Sequence, residues 1–168
     1  ILLLLIWMAI IALFFSMLLF GTNDLVVFKE SSIHLMKSND VFWRFLAAFA
    51  FAALALTTIG AMALMFSVFA ENSIGPIVAT VSIVIIFTII EQLKVPVFKE
   101  TIIPYSFTSH MLGWKGFFYV NVDAEGQTIR GSIENYKAII KSALILLAYT
   151  GVFLFIAIRS FNKKDILS

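Results

Sequence analysis

The sequence predicts an all-α fold, a polytopic transmembrane helix bundle with four visible spans. Four long stretches carry no charged residue, and hydrophobic residues make up 61% of the chain against 13% charged. A helix rises about 1.5 Å per residue, so about 20 apolar residues cross a hydrocarbon core of about 30 Å. A soluble domain of 168 residues could not bury so much apolar surface. The predicted spans are residues 1–20, 42–69, 76–93 and 138–158.

Composition excludes several classes of function. Without cysteine, the chain has no disulfide framework, thiolate metal site or cysteine nucleophile. A net charge of +2 gives no reason to expect a nucleic-acid partner. The chain begins at Ile1, without an initiator Met or a basic leader region, and its first apolar run is already long enough to span. We therefore expect it to be the C-terminal part of a longer protein.

The first span and the segment after it differ in amino-acid composition. Residues 1–20 are almost all Leu, Ile, Phe and Met, which is typical of a helix facing lipid, and the turn residues 21–24 end it. Residues 25–44 mix charged with apolar side chains. They are predicted to form a short amphipathic piece at the membrane interface.

The second span is rich in small residues. Ala53, Thr57 and Ala61 are spaced i, i+4 and i+8, so they form a stripe on one helix face. In lipid such stripes let helices approach closely, and we predict that this one packs against protein, either within the chain or across a dimer. Thr57 and Thr58 are expected to bond back to their own helix, the alternative being a polar path.

Two charges stand at the ends of predicted spans. Arg44, before the second span, is expected to extend to the lipid headgroups, with a binding role as the alternative. Glu91 closes the third span, whose Val, Ile and Thr content would suit a strand in water but whose length favours a helix. We interpret Glu91 as an interfacial anchor balanced by Lys94, the alternative being a contact with a proton or a substrate.

Residues 94–137 are predicted to be extramembrane, and their first half is unlike an ordinary loop. Aromatic residues are interrupted there by Pro96, Pro104, Gly113 and Gly116, which predicts short re-entrant or interfacial helices before the final span. The second half, to Glu134, is polar and turn-forming.

Familiar catalytic patterns are missing from the sequence. It has no G-x-x-x-x-G-K-[ST] phosphate loop, no H-E-x-x-H and no G-x-S-x-G. His34 and His110 each lie near a Met, a pairing that can bind copper(I), although isolated His residues are more often interfacial. We predict no catalytic, cofactor-binding or metal-binding residue in this chain.

Three segments carry a resemblance to a known family. They are Met65-Phe-Ser-Val-Phe-Ala-Glu-Asn72, Ile103-Pro-Tyr-Ser-Phe-Thr-Ser-His-Met-Leu-Gly-Trp114 and Phe161-Asn-Lys-Lys-Asp-Ile-Leu-Ser168. In their order and in their position relative to the spans, they resemble the C-terminal half of ABC-2-type permease subunits of bacterial ATP-binding-cassette exporters. The resemblance covers about 130 residues, from the second span onward.

The resemblance implies a permease domain of six spans, of which these would be the last four. It implies a homo- or heterodimer in the bacterial cytoplasmic membrane, powered by separate ATPase subunits that bind the ATP and Mg. It also makes residues 95–116 the re-entrant helices of the outer face. The candidate outer gate consists of Pro104, Tyr105, Phe107 and Trp114.

The charge distribution disagrees with the orientation that this family would have. Three Lys and Arg residues lie on the side of the Glu71 turn and the C-terminal tail, and nine on the other. The positive-inside rule makes the second side cytoplasmic, whereas the family makes it external. Orientation therefore stays open at this point.

Two other classes of function remain as alternatives. One is a membrane-embedded enzyme acting on lipid or peptide, for which only Glu91 comes near to a catalytic group. The other is a non-transporting assembly or immunity subunit. A transporter predicts a co-purifying ATPase, an enzyme predicts activity without ATP, and an assembly factor predicts neither.

Overall fold

The computed structural model describes residues 2–21, 24–29, 32–72, 74–93, 95–121, 129 and 131–165. Most of these residues are helical. They fall into two compact units, whose boundaries lie inside or beside helices. The first unit comprises Ile1–Ala53 and Gly113–Ile140, and the second comprises Leu54–Leu112 and Lys141–Ser168.

In the part of the chain that the structure describes, six α-helices follow one another, interrupted by two strands and two 3-10 helices. The α-helices are α1 Leu2–Phe20, α2 Ser38–Phe69, α3 Ile74–Gln92, α4 Pro96–Thr101, α5 Phe107–Met111 and α6 Tyr136–Asp165. The strands are β1 Leu25–Lys29 and β2 Ser32–Met36, and the 3-10 helices are Ile103–Tyr105 and Leu112–Phe118.

Among the described residues, three helices, α2, α3 and α6, are long and apolar enough to cross a membrane. Only 28%, 11% and 17% of the residues in their most apolar windows are buried inside the chain, so most of their apolar surface needs hydrocarbon or another protein to cover it. The second, third and fourth predicted spans are thus confirmed as helices of spanning length, and the chain has the character of a membrane protein. In α1 the apolar stretch found is the shorter Ile6–Leu19, so the first span stays a prediction.

A β-hairpin forms most of the predicted interfacial piece and is a local exception in a fold whose described residues are mostly helical. Strands β1 and β2 pair antiparallel, from Leu25 opposite Met36 to Lys29 opposite Ser32. This stretch is rich in β-branched residues, and pairing two short strands satisfies their backbone groups locally. The Asp24 carboxylate then accepts a 2.9 Å hydrogen bond from the Ser38 backbone N–H, one of the unpaired donors at the start of α2.

The buried face of α2 lies beside the predicted stripe of small residues. It consists of Ala48, Phe51, Ala55, Thr58 and Met62, at helical spacings of three and four. Of the predicted stripe, Ala61 is buried within the chain, while Ala53 and Thr57 are half-buried. Packing of this stripe across a dimer stays a prediction.

In the second unit, the Thr58 hydroxyl joins α2 to α6, where it contacts the Thr150 hydroxyl and the Leu146 carbonyl, the latter at 3.4 Å. The hydroxyls of Thr58 and Thr150 lie 2.9 Å apart, and both side chains are buried. Thr58 also bonds back to the Leu54 carbonyl of its own helix at 3.1 Å, which confirms the prediction made for it. Interhelical hydroxyl pairs of this kind hold transmembrane helices together where no hydrophobic drive exists between them.

Residues 96–118 form a series of short helices, as their Pro and Gly breaks predict. Pro96 opens α4 and Pro104 lies in the first 3-10 helix, both at positions where the missing N–H costs nothing. Their placement in or on the membrane stays a prediction. Of the polar second half of this region, residues 122–128 and 130 lie outside the described residues, as do Lys94 and the last three residues of the C-terminal motif.

Candidate functional site

The carboxylate of Glu91 organises a group of hydroxyls at the end of α3. Ser106 Oγ donates to Glu91 Oε1 at 2.8 Å, and the Thr108 hydroxyl donates a short hydrogen bond to the same oxygen. The two hydroxyl oxygens lie 2.5 Å apart, and both Ser106 and Thr108 are buried. We call these three residues the Glu91 cluster.

Local sequence explains why the hydroxyls converge on Glu91. The 3-10 helix that contains Pro104 ends at Tyr105, and Ser106 is extended, with φ −66° and ψ 129°, as the residue before α5. Thr108 follows in the first turn of α5, so both hydroxyls lie on the side of α3. A half-buried carboxylate needs such donors, because an unpaired charge in apolar surroundings is costly. The anchor interpretation of Glu91 missed these partners, and Lys94 lies outside the described residues.

Two further polar contacts tie the same short helices to α6. The Tyr149 hydroxyl donates to the Tyr105 carbonyl at 2.6 Å. His110 Nε2 lies 3.1 Å from the Pro104 carbonyl, so it must be the protonated nitrogen, and Nδ1 contacts the Ser142 hydroxyl at 3.0 Å. Short helices between two long ones are thereby hydrogen-bonded to both α3 and α6.

Aromatic rings reinforce this connection. The Phe107 ring centroid lies 5.8 Å from that of Phe87 on α3 and 5.9 Å from that of Tyr149 on α6. Tyr149 in turn contacts Phe153 at 5.8 Å. Beside these rings lies a cavity of about 460 Å³, which we call the aromatic cavity.

The four candidate gate residues are divided between the two units. Pro104 and Tyr105 are exposed, Tyr105 to 73%, whereas Phe107 is 5% exposed and belongs to the ring contacts just described. All three lie in the second unit. Trp114 lies in the first unit, where its ring packs against that of Phe118 at 6.3 Å.

Arg44 does not reach the headgroups as predicted, since its side chain is fully buried. Its Nη1 donates to the Phe117 carbonyl at 2.6 Å, and its Nη2 donates to the Ser132 carbonyl at 2.6 Å and to Asp40 Oδ2 at 3.1 Å. The prediction is wrong because acceptors from a later part of the chain surround the guanidinium, so that it need not seek water.

Asp40 completes a group of contacts that we call the Arg44 node, which comprises Arg44, Asp40 and the groups that bond to them. Its Oδ2 also accepts from the Gly131 backbone N–H at 2.8 Å, and its Oδ1 accepts from Trp43 Nε1 at 2.9 Å. Gly131 has φ +74°, a conformation that glycine adopts without strain. Asp40 and Arg44 stand i and i+4 in α2, a spacing that the sequence displays and from which the ion pair could have been predicted.

The chemistry available at these two places differs. Among the residues that the structure describes, no group of three or more His, Asp or Glu side chains could hold a metal ion. The Arg44 node balances a positive with a negative group. The described residues of the Glu91 cluster are a carboxylate and two neutral hydroxyls, an arrangement that favours a nearby positive charge.

Comparison of the chain with protein-family models, with curated proteins and with solved structures gave no match.

Proposed function

We propose that this chain is a membrane-spanning permease subunit of an ABC-2-type ATP-binding-cassette transporter. It forms half of a substrate pathway in the bacterial cytoplasmic membrane, and its four spans are the last four of six. A second permease subunit, identical or different, completes the pathway. Separate ATPase subunits bind ATP and Mg and drive the cycle.

The observation that carries this proposal is the attachment of the short helices. Residues 96–112 lie between two helices of spanning length, and Glu91 and Tyr149 bond them to one helix each. A segment held in this way follows any relative movement of α3 and α6. Transporters need such an element, because alternating access requires a two-state segment that the engine can bias.

Co-purification tests the proposal directly. The full-length protein, extracted from its native membrane in mild detergent, should bring with it a soluble subunit that carries a phosphate loop and hydrolyses ATP. Mass spectrometry of the purified complex identifies that subunit. Turnover of a lipid or peptide by this chain without ATP would contradict the proposal and favour the membrane-enzyme alternative.

The proposed orientation has its own test. The permease proposal puts the short helices outside and the Glu71 turn in the cytoplasm. These 168 residues contain no cysteine, so in a full-length protein whose upstream cysteines, where present, are changed to serine, Tyr105→Cys and Glu71→Cys each introduce a single reactive thiol at an exposed position. A membrane-impermeant maleimide applied to intact cells should label the first variant and not the second. The opposite pattern would follow the charge count and overturn this orientation.

Contact with a second permease subunit is tested on α2. Ala61 is buried inside the chain, so the informative change is Ala53→Leu at a half-buried position. We expect it to weaken dimerisation in detergent, because a larger side chain keeps helix backbones apart. Ala148→Leu, at an exposed position of α6, is the matched control. Unchanged dimerisation of Ala53→Leu would remove this face from the interface.

A further inference from the structure

The aromatic cavity lies wholly within the second unit and has the size of a ligand site. Its walls come from α2, α3 and α6 and from the short helices between Thr101 and Phe107. Its volume of about 460 Å³ falls in the range of about 300–1,000 Å³ that is typical of small-molecule sites.

Aromatic rings and thioethers dominate the lining. Two methionines of α2, Met62 and Met65, contribute flexible and polarisable side chains. Six rings contribute to the wall, those of Phe66, Phe87, Tyr105, Phe107, Tyr149 and Phe153. The faces of aromatic rings carry partial negative charge and attract organic cations.

A carboxylate stands immediately behind this wall. Ser106 lines the cavity and donates its hydroxyl to Glu91 Oε1 at 2.8 Å. Both hydroxyl donors of the Glu91 cluster bond to that one oxygen. Among the described lining residues none is charged, and Ser106 connects this lining to the Glu91 carboxylate by a hydrogen bond.

We propose that the aromatic cavity binds a lipophilic organic cation. The apolar walls accommodate the body of such a molecule, while the rings and the Glu91 carboxylate favour its positive charge. A neutral acyl chain would use the apolar walls only. This inference concerns an equilibrium that needs neither ATP nor a partner subunit, so it stands or falls independently of the proposed transport function.

A pair of probes of the same shape and opposite charge tests the proposal. Tetraphenylphosphonium is the cation and tetraphenylborate the anion. Binding of each to the full purified chain is measured by equilibrium dialysis in detergent, with protein-free micelles subtracted. With each probe measured alone, since the two ions precipitate together, we expect saturable binding of one tetraphenylphosphonium per chain and no saturable binding of tetraphenylborate. Equal binding of both probes would overturn the proposal and indicate a site for apolar bulk alone.

Two variants locate the binding. Glu91→Gln keeps the side-chain shape and an acceptor oxygen, and should weaken tetraphenylphosphonium binding about tenfold, as expected for one charge interaction near a protein surface. Phe107→Leu removes one ring and should weaken it about two- to fivefold. Circular dichroism verifies that both variants retain the helical fold.

Matched controls make these results decisive. Glu71→Gln removes an exposed carboxylate at the other end of α3, and Phe155→Leu removes a ring that is 64% exposed on α6. Both controls should bind tetraphenylphosphonium like the unaltered chain. If they weaken binding as much as Glu91→Gln and Phe107→Leu do, or if all four variants bind alike, the cation does not occupy the aromatic cavity.

Discussion

Arg44 lies near the start of one predicted span and Glu91 near the end of another, yet the two charges differ in their burial and in their bonding partners. Arg44 is fully buried, faces an acid one helical turn away and donates to two backbone carbonyls. Glu91 is half-buried and is bonded to two neutral hydroxyls. The Arg44 charge is therefore paired within the first unit, whereas the described partners of Glu91 are neutral hydroxyls of the second unit.

Typical interaction free energies predict which of the two residues, Arg44 or Glu91, costs more stability when it is changed. Removing one partner of a buried ion pair costs about 3–5 kcal/mol, because the other charge is left uncompensated. Hydrogen bonds to a charged acceptor contribute about 1.5–3 kcal/mol each, against about 0.5–1.5 kcal/mol for neutral pairs. Neutralising Glu91 should thus cost much less than removing Arg44.

The largest effect is expected at the Arg44 node. Arg44→Met keeps the apolar stem of the side chain but leaves Asp40 and two carbonyls without their cation, and should lower the free energy of unfolding by about 3–5 kcal/mol. Unfolding in a denaturing detergent, followed by circular dichroism, measures it. Arg159→Met, at an exposed position near the end of α6, should change stability by less than about 0.5 kcal/mol. Equal stability of the two variants would mean that the node is not structural.

Close packing beside the node is tested by Gly116→Ala. A Cβ at Gly116 would lie 2.9 Å from both Cδ1 and Cγ1 of Ile139, so the Ile139 side chain or one of the two segments must shift. We expect a loss of about 1–3 kcal/mol, as for other overpacked positions. At Gly151 in α6 a Cβ would meet nothing within 4 Å, and Gly151→Ala should gain about 0.5–1 kcal/mol from helix propensity. If Gly116→Ala were also stabilising, the packing around the node would be loose.

A smaller effect is expected from Glu91→Gln. The amide still accepts from Ser106 and Thr108 but forms weaker bonds, so attachment of α5 to α3 should lose about 1 kcal/mol. Amide exchange within α5, at residues 107–111, should then accelerate about fivefold. Glu71→Gln should leave these amides unchanged. A loss as large as that of Arg44→Met would show that the two charges play similar structural roles.

The smallest effect on stability is expected at the contact between two uncharged hydroxyls, those of Thr58 and Thr150. Thr58→Val removes the hydroxyl that faces Thr150 and should cost about 0.6 kcal/mol, the average for interhelical hydrogen bonds in membranes. Thr88→Val is the control, because the exposed Thr88 hydroxyl bonds only within its own helix, to the Val84 carbonyl at 2.7 Å among the described residues. Thermal unfolding in detergent compares the two. A larger loss for the control would contradict this assignment.

Distance along the chain decides which of these contacts the sequence could predict. Asp40 and Arg44 are four residues apart and share one helix face, so their ion pair can be predicted from the sequence. The carbonyl partners of Arg44 lie 73 and 88 residues away, and nothing in the sequence identifies them. Glu91 is 15 and 17 residues from its hydroxyl partners. The prolines between them predict a break in the helix, but they do not predict the direction in which the chain continues.

Between residues 25 and 44 the sequence predicted an amphipathic piece at the interface but not its secondary structure. Residues 25–29 and 32–36 form the two paired strands. Strand pairing depends on which segment lies opposite, and the hairpin supplies its own partner within a few residues. The offset between the predicted stripe and the buried face of α2 has a similar cause, because small residues occur on more than one face of that helix.

By itself the sequence determined that the chain forms long apolar helices broken by Pro and Gly, because hydrophobic length and backbone chemistry are local properties. Only the tertiary structure decided which charges are compensated, since compensation depends on groups brought together from distant parts of the chain. That is why Arg44, predicted at the membrane boundary, is found buried. It is also why one residue, Ser106, both bonds to the Glu91 carboxylate and lines the aromatic cavity.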